Sequence, residues 1–229
     1  MIPWQTIDTV LLDMDGTLLD LHFDSHFWLE HLPRRYVELH QLDEASQREL
    51  EARIVGEQGT LDWYSLAYWK RELGVDIVAL KREVQHLIGL RGDALDFLRW
   101  LKVAHPRVVL ATNADRESLE LKLPLTGLDA YLDAIVSSQD LGAAKEEQAF
   151  WHALRAREPF DPARTLFIDD NPRVLESARA FGIRHLLGIK QPDSRRPGRE
   201  LHTFTALDRF ADIYPAKASN TATKESVHG

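Results

Sequence analysis

Acidic residues stand at two places where an apolar run ends. Asp13 and Asp15 lie in LLDMDGTLLD, and Asp169 and Asp170 close RTLFIDD (164–170). Thr112 and Asn113 close RVVLATN (107–113), and Lys145 precedes a helical pattern. On an extended strand, residues i and i+2 face the same way, so Asp13 and Asp15 can share one site before the chain turns at Gly16. A carboxylate such as Asp13 can attack phosphorus and form an aspartyl-phosphate. A second one, Asp15, can protonate the leaving alcohol and later activate water. Two like charges about 4 Å apart repel by roughly 4 kcal/mol at an effective dielectric of 20, so four carboxylates in one pocket call for a cation. An all-oxygen donor set beside a phosphate suits Mg²⁺, with Asp13, Asp15, Asp169 and Asp170 as candidate ligands. Lys145 adds fixed positive charge, and Thr112 and Asn113 are candidate phosphate contacts, Thr112 by donating to a phosphoryl oxygen. The unaided hydrolysis of phosphate monoesters is slow enough to need all of these together.

Those residues must be brought together by the fold. Near-continuous apolar runs at 7–13, 107–113, 134–138, 164–170 and 185–189 read as strands buried on both faces. Helical patterns lie between them at 93–103, 116–123, 146–157 and from Asn171, a good N-cap followed by Pro172, to a stop at Gly182. The alternation predicts an α/β fold: a Rossmann-like parallel sheet with helices on both faces. Ligands of such sheets bind outside the carboxyl ends of the strands, where the polar residues collect. Residues 20–89 break the alternation. They read as about four helices punctuated by Pro33, Gly56, Gly59 and Gly74, a helical cap inserted after the first strand. The expected division is a core of 1–19 and 90–215, a cap of 20–89 and a disordered tail of 216–229. The expectation for 190–200 is a loop, and for 207–214 a short helix.

Bulk properties narrow the classes. The chain has 229 residues, 44% hydrophobic and 28% charged, with a formal charge of -8. That balance argues against a nucleic-acid or membrane-surface partner. The absence of cysteine excludes disulfides and thiol catalysis and fits the cytoplasm. No signal-peptide pattern and no long apolar run is present.

DMDGT (13–17), the strand ending in Thr112, Lys145 ahead of a helix and FIDD (167–170) resemble the four motifs of the haloacid dehalogenase-like hydrolases. The resemblance implies that Asp13 is nucleophile and metal ligand, and that Asp15 is acid–base with its backbone carbonyl on the metal. It further implies that Thr112 and Lys145 contact phosphate, that Asp170 ligates directly and that Asp169 acts through water. Ala144 stands where Pro is common before the motif lysine, and Val174 where some relatives carry Asp or Asn. LDLHFDSHFW (19–28), LDWYSLAYWKRELGVDI (61–77), KLPLTGLDAYLD (122–133) and FGIRHLLGIKQPDS (181–194) are similar to the bacterial GMP/IMP nucleotidase branch. That likeness implies a purine nucleoside 5′-monophosphate as substrate.

The substrate's other end would be met by the cap. His22 and Phe23 fall on the hinge, and Trp63, Tyr64 and Tyr68, with Trp69, form an aromatic group able to pack a core or to stack on a base. His26, His31 and His40 read as surface residues, and Arg195, Arg196 and Arg199 as a solvated loop. Two alternatives stay open: a phosphatase of another small metabolite such as a sugar phosphate or phosphoglycolate, and a phosphoryl-accepting regulatory module without turnover. In the latter the acidic pair ordinarily precedes the phosphorylated Asp, whereas here it comes last. A dehalogenase would not need Asp15.

Overall fold

A computed structural model describes residues 2–214; the expected disordered tail lies outside the described residues. The strands are β1 (Thr9–Leu12), β2 (Arg107–Thr112), β3 (Ala134–Ser137), β4 (Thr165–Asp169), β5 (His185–Ile189) and β6 (Thr205–Leu207). They form one sheet in the order β3-β2-β1-β4-β5-β6, and every pair is parallel. Side chains alternate between two cores. Val10, Leu12, Val108, Leu110, Leu166 and Ile168 face one layer. Leu11, Val109, Ala111 and Phe167 face the other. This is why the strands carry apolar residues at every position rather than at every second one.

Helices α1 (His22–His26), α2 (Leu32–His40), α3 (Glu44–Gly56), α4 (Leu66–Leu73) and α5 (Ile77–Glu83) lie between β1 and the next sheet-covering helix, α6 (Ala94–Ala104). No strand occurs at 20–89 among the described residues. A π turn at Phe27–His31 joins α1 to α2, so the chain stays helical from His22 to His40. Pro33 does not interrupt it, because it falls at the change of pitch after the π turn, where Leu32 N–H donates five residues back to Phe27 O and the bond that proline cannot make is omitted. Asp43, Ser65 and Asp76 cap α3, α4 and α5 by accepting first-turn N–H groups. These helices have their own core around Phe23, Phe27, Trp28 and Trp69. The chain leaves and re-enters the sheet side by side: Asp20 N–H donates to Gly89 O and Arg91 N–H to Leu18 O, both at 2.9 Å.

The remaining helices are α7 (Arg116–Thr126), α8 (Ser138–Leu141), α9 (Gln148–Arg157) and α10 (Pro172–Phe181). Asn171 caps α10, and Gly182 ends it at φ +103°. Helix α7 runs three residues past the expected end at Leu123, with Pro124 inside its last turns. Two further expectations are corrected. Residues 190–200 carry no helix or strand, as expected of a loop, but the expected helix at 207–214 is absent: the chain returns to the sheet as β6, which ends at Leu207, and only a 3₁₀ turn, Phe210–Asp212, follows. His31 is buried rather than exposed, held between Glu83, 2.9 Å from Nε2, and Arg34, 3.3 Å from Nδ1.

Candidate active site

The sheet delivers its polar residues at one edge. Asp13 follows β1 directly, with its N–H donating to Ile168 O of β4 at 3.0 Å. Thr112 ends β2, Asp169 ends β4, and Lys145 lies in the loop between α8 and α9. Lys145 Nζ donates to Asp13 Oδ1 at 2.5 Å and to Asp169 Oδ2 at 2.6 Å. The other oxygen of Asp169 accepts from Asn171 N–H at 2.7 Å. Asp13 Oδ2 is buried and has no hydrogen-bond partner among the described residues. Asp13, Asp169 and Asp170 each present an oxygen within 4.8 Å of the others.

This donor set fits a hard divalent cation. Three carboxylates converge, the Lys145 ammonium and the Arg199 guanidinium offset two of their charges, and among the described residues one buried oxygen is unsatisfied. The electrostatics agree. Burial pushes Asp13 up to about 6 against the pull of Lys145, and the Asp169 charge adds to the rise. Burial and the charges of Asp169 and Asp13 push Asp170 well above the usual carboxylate range. Burial opposes the charge on Lys145, yet Asp13 and Asp169 hold its ammonium above the ordinary lysine value. Gly16 makes the arrangement possible: its φ is +85°, and a Cβ there would lie 2.8 Å from Asp170 Cγ.

The other residues frame the cluster. Thr112 Oγ1 accepts from Ala114 N–H at 3.0 Å, which leaves its own O–H to donate. Asn113 is occupied by structure: Oδ1 accepts from Lys145 N–H at 3.0 Å, and Nδ2 donates to Glu146 Oε2 at 3.0 Å. It therefore sets the Lys145 loop. Asp15 stands behind Gly16 with its Oδ1 2.7 Å from Lys122 Nζ. Burial pushes it up to about 6 against Lys122, with Asp24 adding to the rise.

A cavity of about 350 Å³ covers these groups, within the size range of small-ligand sites. Its floor is the acidic cluster, Thr112 and Lys145; Trp28, Gln58, Trp63 and Tyr64 of the inserted helices form its roof. Tyr64 O–H donates to Glu146 Oε1 at 2.8 Å, which ties roof to floor. Asp115 does the same, capping α7 through Oδ1 while Oδ2 accepts Leu66 N–H of α4 at 2.6 Å. Of the five candidate specificity residues, only Trp63 and Tyr64 line the cavity. His22 turns toward Asp193, 3.6 Å away. Phe23 is in the core of the inserted helices. Tyr68 lies on their outer side, its hydroxyl accepting from Arg53 at 3.2 Å.

Sequence reasoning missed Asp24, Lys81 and Lys122, which also line the cavity. Lys122 is buried on α7 one turn beyond Leu119 and Ser118, so its position on the apolar face was the available signal. Arg199 was expected in a solvated loop. Its guanidinium instead bonds the Asp170 carbonyl and approaches Asp170 Oδ2 at 3.2 Å, because the β5–β6 connection passes beside the end of β4.

An acidic cluster and a lysine meet at the carboxyl edge of this sheet, under a roof of inserted helices and turns, and the family match makes the chain a hydrolase. Residues 7–182 match the haloacid dehalogenase-like hydrolases, and the chain belongs to that family. It is 40% identical over 216 residues to the GMP/IMP nucleotidase YrfG of Escherichia coli, covering 94% of this chain and 97% of that one, and equally to the YrfG of Shigella flexneri. The enzyme is thus similar over nearly its whole length to phosphomonoesterases of the 5′-nucleotidase kind. A HAD phosphatase from Thermococcus onnurineus shares the fold, with a TM-score of 0.71 at 20% identity over 87% of this chain and 91% of that one. Among the described residues, no helix is long and apolar enough to cross a membrane.

Proposed function

We propose that the protein is a Mg²⁺-dependent phosphomonoesterase that converts GMP and IMP to nucleoside and phosphate through a phosphorylated Asp13. The observation that carries the reaction is the buried Asp13 carboxylate, held by Lys145 at one oxygen and unsatisfied at the other, beside Asp169 and Asp170. A carboxylate oxygen of Asp13 attacks phosphorus, and the bond from phosphorus to the 5′ oxygen breaks. Asp15 gives its proton to that leaving oxygen. Water then attacks the phosphorus of the phosphorylated Asp13, Asp15 takes the water's proton, and phosphate leaves with the Asp13 carboxylate restored. Mg²⁺, which Asp13, the Asp15 carbonyl, Asp170 and, through water, Asp169 would hold, supplies neutralisation of the phosphoryl charge. Lys145 and the Thr112 hydroxyl bind phosphoryl oxygens.

The purine is supported by the 40% identity to GMP/IMP nucleotidases and by the aromatic roof of Trp28, Trp63 and Tyr64. Residues 20–89 act as a cap that admits the substrate and excludes water. The cysteine-free sequence supports a cytoplasmic location. The test is a panel of GMP, IMP, AMP, ribose 5-phosphate and phosphoglycolate with Mg²⁺ and with chelator. The reading predicts highest kcat/KM on GMP and IMP, and none with chelator. A sugar phosphate turned over equally well would remove the purine assignment and leave the phosphatase intact.

A further inference from the structure

Four ionisable groups beside the cavity form one chain, of which the reaction above uses only the first. Asp15 Oδ1 accepts from Lys122 Nζ at 2.7 Å, Lys122 Nζ donates to Asp24 Oδ2 at 2.6 Å, and Asp24 Oδ1 accepts from Lys81 Nζ at 2.9 Å. Lys122 and Lys81 are 1% and 2% exposed at their side chains. Aromatic faces take the place of water around both. Lys122 Nζ lies 5.2 Å from the Phe23 ring centre, and Lys81 Nζ lies 4.7 Å from that of Phe27.

Stability alone is a poor explanation for this chain. Burying ions costs solvation that pairing only offsets, and well-packed apolar residues of similar volume are often at least as stable. Its connectivity is more informative. Asp15 lies in the turn that follows β1 and Lys122 belongs to α7, whereas Asp24 and Lys81 belong to α1 and α5 of the inserted helices. The charges alternate and cancel. Parting the chain between Lys122 and Asp24 leaves two neutral pairs, one on each side. Asp15 has no other side-chain partner among the described residues.

We propose that Lys122 is a positioning residue for Asp15, and that Asp24 and Lys81 make this positioning depend on the inserted helices being seated on the sheet. The proposal rests on the reading of Asp15 as acid–base. Lys122 fixes one oxygen of Asp15 and leaves the other for the leaving group or water. Asp24, clamped by Lys81, shares the Lys122 ammonium when the helices are seated and releases it when they lift. The site is then fully set only when it is covered.

The test compares leaving groups in single turnovers with Mg²⁺. Guanosine from GMP leaves as a poor alkoxide that needs a proton; nitrophenolate from p-nitrophenyl phosphate does not. For Lys122→Met, guanosine release should slow by about 100-fold or more while the nitrophenolate burst slows by less than about tenfold. KM for GMP should stay within about threefold, and Lys122→Arg should recover most of the loss. The double variant Asp24→Asn with Lys81→Met, which keeps the net charge, should show the same split to a smaller extent. Equal losses on both substrates, or none, in Lys122→Met and in the double variant would overturn the proposal. Asp15→Asn serves as reference. If it lacks the split, the acid–base reading itself fails; if it shows the split and the other variants do not, only the positioning role fails.

Discussion

A Cβ on Gly16 would lie 2.8 Å from Cγ of Asp170, so the turn after the first pair of acids and the last acid of the second pair compete for the same space. Glycine at this point therefore serves two needs. It adopts φ +85°, and it lets the end of β4 close against the end of β1.

Gly16→Ala should consequently damage metal binding more than folding. The backbone strain costs about 1–2 kcal/mol, as left-handed φ does for residues with a Cβ. The displaced Asp170 carboxylate should raise the Mg²⁺ concentration needed for half-maximal activity by about tenfold or more. Mg²⁺ titrations of activity and thermal melts check this; an unchanged Mg²⁺ requirement would contradict the placement of Asp170.

Metal-free protein should lose stability as pH rises. Burial lifts Asp13 and Asp15 from 3.8 to about 6 each. The folded state therefore binds protons that the unfolded state has released, so this contribution is present below about pH 4 and is lost as pH rises through about 6. Each group is worth on the order of 3 kcal/mol over that window. In chelator, melting temperature should fall from about pH 4 to about pH 7, and less steeply for Asp13→Asn. Adding Mg²⁺ at the higher pH should restore the wild type more than the variant. A variant that follows the wild-type melting curve at every pH would refute the origin assigned to the shift.

The reading of the roof is tested at Trp63. Trp63→Ala should raise KM for GMP by about tenfold, corresponding to roughly 1.4 kcal/mol of lost stacking and burial, with a smaller effect on ribose 5-phosphate. Equal effects on both would mean that Trp63 only packs the helices, a role its N–H bond to Ile54 O at 2.9 Å also supports.

The parts of this molecule with strong local constraints were legible from residues alone. Strands β1, β2 and β4 are buried on both faces, which forces unbroken apolar runs; β1 and β4 lead into the acids, and β2 ends in Thr112. The helical character of 20–89 was equally clear from the absence of strand patterning between Pro33, Gly56, Gly59 and Gly74. Strand β6 was not, because it has three residues and only Leu207 is buried. Lys122 and Lys81 were missed because a lysine within a helix ordinarily reaches solvent; only their partners, 57 to 107 residues away, bury them. Arg199 was missed for a similar reason, since its contact with Asp170 follows from sheet order rather than from local pattern. The aromatic group at 63–69 divides between a turn and a helix: Trp63 and Tyr64, in the turn before α4, reach the cavity, while Trp69, on α4, centres the packing.

The central claim is that Asp13 carries the phosphoryl group between substrate and water. Its most direct test is rapid acid quench of the enzyme during turnover of GMP with Mg²⁺, followed by mass mapping of the peptide that spans Asp13. The account predicts a phosphoryl adduct on Asp13 that forms and decays within the turnover, and both adduct and turnover lost in Asp13→Asn while the fold persists. Steady turnover by Asp13→Asn, or an adduct on another residue, would contradict it.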